Sequence, residues 1–191
     1  MTKHVMLDLE TLGTGPTSAV ISIGAAAFDP WGKADSITQT FDQHVNIESA
    51  MKYGRVDAGA LKFWVLHAPD SARVALRVGQ REKAVDLDEA LIGFTDWLNF
   101  AVRPDGALTD SVCVWGDGAT FDNVLLRNAY TVTGLDCPWG YRMDRCFRTL
   151  KNMSKYKPKT FDGTAHDAAD DARHQALWLQ KIVKRNKITV L

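Results

Sequence analysis

The sequence predicts an α/β domain, and three observations predict it. Three strand-like segments open the chain, helical periodicity takes over from Asp57, and a short apolar strand, Val112-Cys113-Val114-Trp115, returns before a glycine turn and more helices. At 191 residues and 46% hydrophobic content, residues 1–191 can form one domain with a substantial core. No second core is needed.

The first strand, His4-Val5-Met6-Leu7-Asp8-Leu9-Glu10, is an apolar run carrying two carboxylates. Side chains alternate faces along a strand at roughly 3.3 Å per residue, so Asp8 and Glu10 leave the same face about 7 Å apart. Buried together they repel and need a cation or a shared proton. A frayed strand with both groups in water is the structural alternative.

Thr11 to Ser18 reads as a turn punctuated by Gly13, Gly15 and Pro16. It lacks the Gly-Lys-Ser/Thr ending of a phosphate loop and leads into a strand. Ala19 to Phe28 is nearly all apolar, as a strand covered on both faces would be. Asp29 to Gly32 is a turn, and Ile37 to Val45 alternates as a third strand.

From Asp57 to Leu76 the pattern is helical, with Leu61, Trp64, Val65 and Ala68 on one stripe and a break at Pro69. Gly79 to Lys83 reads as a polar, flexible connector, and Asp88 to Phe100 as an amphipathic helix. After Val112 to Trp115, Gly116-Asp117-Gly118 permits a sharp turn into a helix from about Thr120, placing Asp122 in its first turn. A carboxylate there is favoured by the helix dipole, which is the purely structural account of Asp122. Tyr141 to Met143 reads as a short strand or turn, followed by a helix through Cys146, Leu150 and Met153.

Arg142 to Lys159 carries seven basic residues against one acidic residue, Asp144. Arg145, Arg148 and Lys151 recur every third position along one helix surface. Such a run is ordinarily a solvated face; beside a site for an anionic substrate it can steer phosphates. In the last helix, which starts after His166 and runs toward Arg185, Ala168, Ala172, Gln175, Ala176, Leu179 and Val183 share a stripe. Asp171 flanks that stripe, Asp170 points toward water, and Asp167 can cap the helix.

Formal net charge is zero, so any attraction for nucleic acid must come from uneven charge placement. Cys113, Cys137 and Cys146 are odd in number and widely spaced, against a disulfide framework or a zinc site. No run reaches the ~18 apolar residues of a membrane span. A soluble, unprocessed cytoplasmic protein with no membrane contact is expected.

Asp8, Glu10, Asp122 and Asp171 occupy positions that can converge. Oxygen ligands without a cysteine or histidine cluster suit Mg²⁺ or Mn²⁺, and two such ions about 4 Å apart can clamp the attacking and leaving oxygens of a phosphodiester. His166 is the candidate general base, because a histidine side chain ordinarily titrates near neutrality, although a lone histidine before a helix is usually a surface or capping group.

Asp8-Leu9-Glu10-Thr11, Thr120-Phe121-Asp122 with Leu125, and His166-Asp167-Ala168-Ala169-Asp170-Asp171-Ala172 together resemble the motifs of the DEDD 3′-to-5′ exonucleases of the ribonuclease H-like superfamily, in their histidine-containing (DEDDh) subgroup. The third motif is the most diagnostic. Ser22-Ile23-Gly24-Ala25, Ala60 to Trp64, Ala68 to Arg73 and Trp115-Gly116 look like the short stand-alone branch that includes exonuclease VIII, phage exodeoxyribonucleases and mycobacterial exoribonucleases.

The resemblance implies a mixed sheet of about five strands flanked by helices, with the active site at its acidic edge. It implies two Mg²⁺ or Mn²⁺ ions held by Asp8, Glu10, Asp122 and Asp171, with Asp8 bridging, and His166 activating the nucleophile. It further implies that Thr11, Leu12, Trp64 and Phe121 meet the substrate. Trp64 is the candidate for stacking on a terminal base, with a core tryptophan as the alternative. Asp117-Gly118-Ala119 departs from the bulkier or amide-bearing residues of relatives and leaves base contacts open.

The expected activity is removal of mononucleotides from the 3′ end of single-stranded DNA or RNA, DNA slightly favoured. The alternatives are an exoribonuclease, an endonuclease or structure-specific nuclease of the same superfamily, and an inactive binding module. Exposed aromatic and apolar residues around Trp31, Trp97 and Trp139 leave room for a homodimer.

Overall fold

A computed structural model of the chain describes residues 3–32, 36–101 and 111–189. Five strands form one sheet: β1 (Lys3–Thr11), β2 (Val20–Phe28), β3 (Ile37–His44), β4 (Val112–Gly116) and β5 (Asp144–Cys146). Their order is β3-β2-β1-β4-β5, with β1 in the middle. β1 pairs antiparallel with β2 and parallel with β4; β2 and β3 are antiparallel, β4 and β5 parallel. The expected mixed five-stranded sheet is therefore present.

Seven α-helices surround it among the described residues: α1 (Ile47–Tyr53), α2 (Ala58–Lys62), α3 (Asp70–Glu82), α4 (Leu87–Ala101), α5 (Asp122–Thr133), α6 (Phe147–Met153) and α7 (Ala168–Arg185). None is long and apolar enough to cross a membrane. The three cysteines are free.

The two-residue period of β1 divides the interior. Val5, Leu7 and Leu9 enter the larger core with Leu91, Phe94, Leu98 and Leu125 from α4 and α5. Met6, one residue out of phase, joins Ala172, Ala176, Leu179 and Val183 of α7 in a second core. Asp8 and Glu10 continue the Met6 face, so they emerge beneath the start of α7. β2 is buried along its whole length, as its apolar run predicts.

Close approach of α7 depends on Gly24. An ideal Cβ there would lie 2.0 Å from the carbonyl carbon of Ala168, so any larger residue collides with the backbone of α7's first turn.

Several expectations are corrected. The connector at Gly79 to Lys83 is not a flexible loop: α3 continues to Glu82, and Gly79 lies against the ring of His44. Ile47–Tyr53, between the third strand and the helical stretch from Asp57, forms α1, capped by Asn46 through the N–H of Glu48. Arg145 lies in β5 rather than on a helix, so it shares no helical face with Arg148 and Lys151. Asp170 does not simply face water; its carboxylate accepts from the Thr164 N–H at 2.7 Å. Of the three tryptophans proposed as exposed, only Trp31 is; Trp97 is half-buried and Trp139 is 1% exposed in the core.

The stripe predicted between Leu61 and Ala68 is also split. Phe63–His67 forms a π-helical turn, whose wider spacing rotates Leu61 and Val65 outward while Trp64 and Ala68 stay buried.

Replacing Gly24 with alanine should lower the urea midpoint by the equivalent of about 2 kcal/mol or more, as overpacking against backbone does. A midpoint equal to wild type would contradict the packing of α7 on β2.

Candidate active site

Asp8 and Glu10 reach the site because β1 runs past its parallel partner. The β1–β4 pairing ends at Leu7 and Gly116, and β4 then turns away through Asp117 to Phe121. Gly116 lets α5 close onto the strand end, since a Cβ there would meet Asn123 Oδ1 at 2.5 Å and Asp122 Cβ at 2.9 Å. Asp122, first residue of α5, is thereby buried beside the carboxyl end of β1.

The third contribution comes from the approach to α7. Asp167 caps the helix by accepting from the Asp170 N–H at 3.2 Å, and Asp171 follows in its first turn. The Asp171 carboxylate accepts from the backbone N–H of His166 at 2.7 Å. That bond holds His166 in a left-handed conformation, φ 62°, an uncommon one for a non-glycine residue. A ring nitrogen of His166 and one carboxylate oxygen each from Glu10 and Asp171 lie within 4.8 Å of one another.

Asp8, Glu10, Asp122, Asp171 and His166 therefore line one open cleft of about 340 Å³. The strand is not frayed here: β1 continues to Thr11, and Asp8 and Glu10 are half-buried at the cleft.

Electrostatics in the cleft are unfavourable for the bare acids. Burial, and then the charges of Asp122, Glu10 and Asp171, raise the Asp8 carboxyl well above its usual range, although an N–H donated by Gln175 at 2.7 Å opposes this. Glu10 is pushed up to about 8, by burial first and then by Asp171, Asp167 and Asp122. Asp122 reaches about 7, through burial and Asp117. Asp171 is also raised, mainly by burial, with the His166 N–H pulling the other way.

These residues fit a hard divalent cation. All four carboxylates are oxygen donors, and a positive charge among them would remove the repulsion that now favours their protonated forms.

Sequence reasoning missed several residues here. Gln175 sits on the otherwise apolar stripe of α7, and a polar residue at a core position was the available signal. Asp117 accepts from Lys151 and lies 3.6 Å from the Arg148 guanidinium, which brings Arg148 to the rim of the cleft. Phe63, half-buried, presents its ring edge-on to His166 with centroids 5.0 Å apart. Its position depends on the π-helical turn, for which the sequence carries no signal.

Of the four expected substrate contacts, Phe121 lines the cleft. Thr11 ends β1, its hydroxyl donating to the Gly13 carbonyl at 2.6 Å. Leu12 and Trp64 are core residues, 6% and 7% exposed. The Trp64 indole N–H donates to the Thr11 carbonyl at 3.0 Å, so it holds the end of β1 and its ring is covered where a base would have to stack.

A family model, the 3′-5′ exoribonuclease Rv2179c-like domain, matches residues 3–183. The chain belongs to this family of 3′-5′ exonucleases. Its fold agrees with the ribonuclease H-like fold that the sequence resemblance implies. No curated protein matches the sequence significantly.

Solved structures share the fold of this exonuclease-family chain at low identity. It is similar to cell-death related nuclease 4 (CRN-4), with a TM-score of 0.63 and 15% identity over 97% of this chain and 64% of that one. E. coli exonuclease I in complex with a dT13 oligonucleotide aligns with a TM-score of 0.65 and 15% identity, covering 98% of this chain and 42% of that one. S. pombe Pop2p, solved with Mg²⁺ and Mn²⁺ bound, aligns with a TM-score of 0.60 and 15% identity, covering 95% and 83%. The chain thus spans less than two thirds of the length of CRN-4 and less than half that of exonuclease I.

The raised carboxyls set a pH dependence whose sign is fixed by linkage. Glu10 binds its proton more tightly in the folded state, so its contribution to stability is complete below about pH 4.5 and lost as pH rises toward 8. Without divalent metal, the thermal midpoint is expected to fall between pH 5 and pH 8. Glu10→Gln should flatten that fall, and millimolar Mg²⁺ or Mn²⁺ should raise the wild-type midpoint at pH 8. A metal-free midpoint that climbs over this range would contradict the electrostatic account.

Proposed function

We propose that the chain is a metal-dependent 3′-5′ exonuclease that removes mononucleotides from single-stranded RNA. The observation that carries this reading is the convergence of Asp8, Glu10, Asp122 and Asp171 beside His166 in one open cleft. The family's description supports RNA over the DNA slightly favoured by the sequence. DNA is the second reading, favoured by the likeness to exonuclease I, which was solved with a DNA oligonucleotide.

Asp8, Glu10, Asp122 and Asp171 would hold Mg²⁺ or Mn²⁺, two ions in this proposal. When bound, such ions lower the pKa of water and stabilise charge on the phosphodiester oxygens. The protein's own part is positional. Gln175 fixes one oxygen of Asp8, and Asp122 is fixed by the first turn of α5.

His166 takes the proton of the attacking water. Its ring lies next to the carboxylates of Glu10 and Asp171. Its backbone bond to Asp171 and the edge of Phe63 limit where the ring can go. Arg148 at the rim offers a cation to the scissile or the preceding phosphate.

Purified protein incubated with 5′-labelled, sequence-matched RNA and DNA oligonucleotides and Mg²⁺ or Mn²⁺ should give a descending ladder, faster on RNA. Asp8→Asn should abolish the ladder, and His166→Ala should slow it by about 10²- to 10⁴-fold, the usual contribution of a general base. Intact oligonucleotides in both metals would refute the reading. A faster DNA ladder would transfer it to DNA.

A further inference from the structure

About a quarter-turn around α7 from the cleft lies a second, larger groove, of about 1000 Å³. At 100° per residue, Asp171 and Gln175 point to the active site, while His174, Trp178, Lys181 and Arg185 are centred roughly 70° away. One wall of the groove is this face of α7; the other is the segment that leaves α6 and carries Lys155, Lys157 and Lys159. That same segment continues to His166, so groove and cleft are joined by a short stretch of chain.

The groove's shape is held from within. The Trp178 indole N–H donates to the Tyr156 carbonyl at 3.1 Å, tying the segment to α7. The Arg185 guanidinium stacks over the Tyr156 ring, 5.0 Å from its centroid. Arg173 is occupied by Asp162 at 3.1 Å. Lys155, Lys157, Lys159 and Lys181 are exposed, and none of them forms an ion pair among the described residues.

In a chain of zero net charge, four unpaired cations facing one another across a preformed groove form a local anion trap rather than an expression of overall basicity. Its two walls suit an extended polyanion. The rings of Tyr156 and Trp178 are engaged by Arg185 and Lys151, so recognition here would be of phosphates and not of stacked bases.

We propose that this groove binds the sugar-phosphate backbone of single-stranded nucleic acid several nucleotides upstream of the 3′ end that occupies the cleft. The proposal rests on the exonuclease reading for its substrate. From Asp171 to Lys181 and Arg185 α7 rises about 15 to 21 Å, which at about 3.4 Å per stacked nucleotide corresponds to roughly four to six nucleotides. Substrates shorter than that cannot span both sites.

The test measures binding first, in EDTA so that no cleavage occurs. Fluorescence anisotropy with labelled 12-mer and 3-mer RNA is recorded across salt concentration for the wild type and for a Lys157→Ala/Lys159→Ala/Lys181→Ala variant. Each phosphate contact on a single strand contributes about 0.7 to the slope of log affinity against log salt, so the variant's slope for the 12-mer should be shallower by about 2. Binding of the 3-mer should be unchanged.

In Mg²⁺ the variant should lose its preference for the 12-mer while degrading the 3-mer at the wild-type rate. An unchanged slope for the 12-mer would overturn the groove assignment even if the exonuclease activity were present. A shallower slope with no cleavage by the wild type would retain the groove and remove the exonuclease reading. Stronger wild-type binding to a poly-glutamate peptide than to the 12-mer, lost in the variant, would overturn it in favour of an acidic protein partner.

Discussion

The molecule is organised around mutual repulsion between carboxylates that the fold forces together. Asp8 and Glu10 extend the buried face of a central strand, Asp122 is set against them by a helix start, and Asp171 comes down from the helix that covers the sheet. Each is raised above its ordinary carboxyl range, Glu10 to about 8. Such a cluster lowers the stability of the metal-free chain near neutrality. It persists because the apolar packing of two cores on either side of β1 fixes the backbones that carry it.

Small residues make that arrangement possible. Gly24 admits the backbone of α7 onto β2, and Gly116 admits the first turn of α5 onto the end of β4. Local bonds then refine it: Gln175 to Asp8, the His166 N–H to Asp171, and the Trp64 indole to the Thr11 carbonyl at the end of β1. The chain of cause runs from a two-residue strand period, through glycine-permitted contacts, to a cleft of clustered carboxylates whose donor set suits a cation.

Much of this was legible in the sequence because it is periodic or local. Alternation along β1 placed Asp8 and Glu10 on one face, and the helical wheel of the last helix placed Asp171 toward the sheet. What was not legible depends on distant partners or unusual backbone. The π-helical turn at Phe63–His67 breaks the 3.6-residue spacing, which leaves Leu61 and Val65 exposed and sets Phe63 against His166. The continuation of α3 through Gly79 follows from the contact of that glycine with His44, which lies on another element. The burial of Trp139 has no local signal, because it rests on its indole N–H reaching Asp144 at 2.8 Å and on Arg127 stacking on its ring.

Diffraction from crystals soaked in Mn²⁺, recorded with anomalous scattering, tests the central claim most directly. The account expects anomalous peaks within coordination distance of Asp8, at the meeting point of Glu10, Asp122 and Asp171. Saturating Mn²⁺ with no peak in that cleft, or with peaks only elsewhere on the surface, would contradict it.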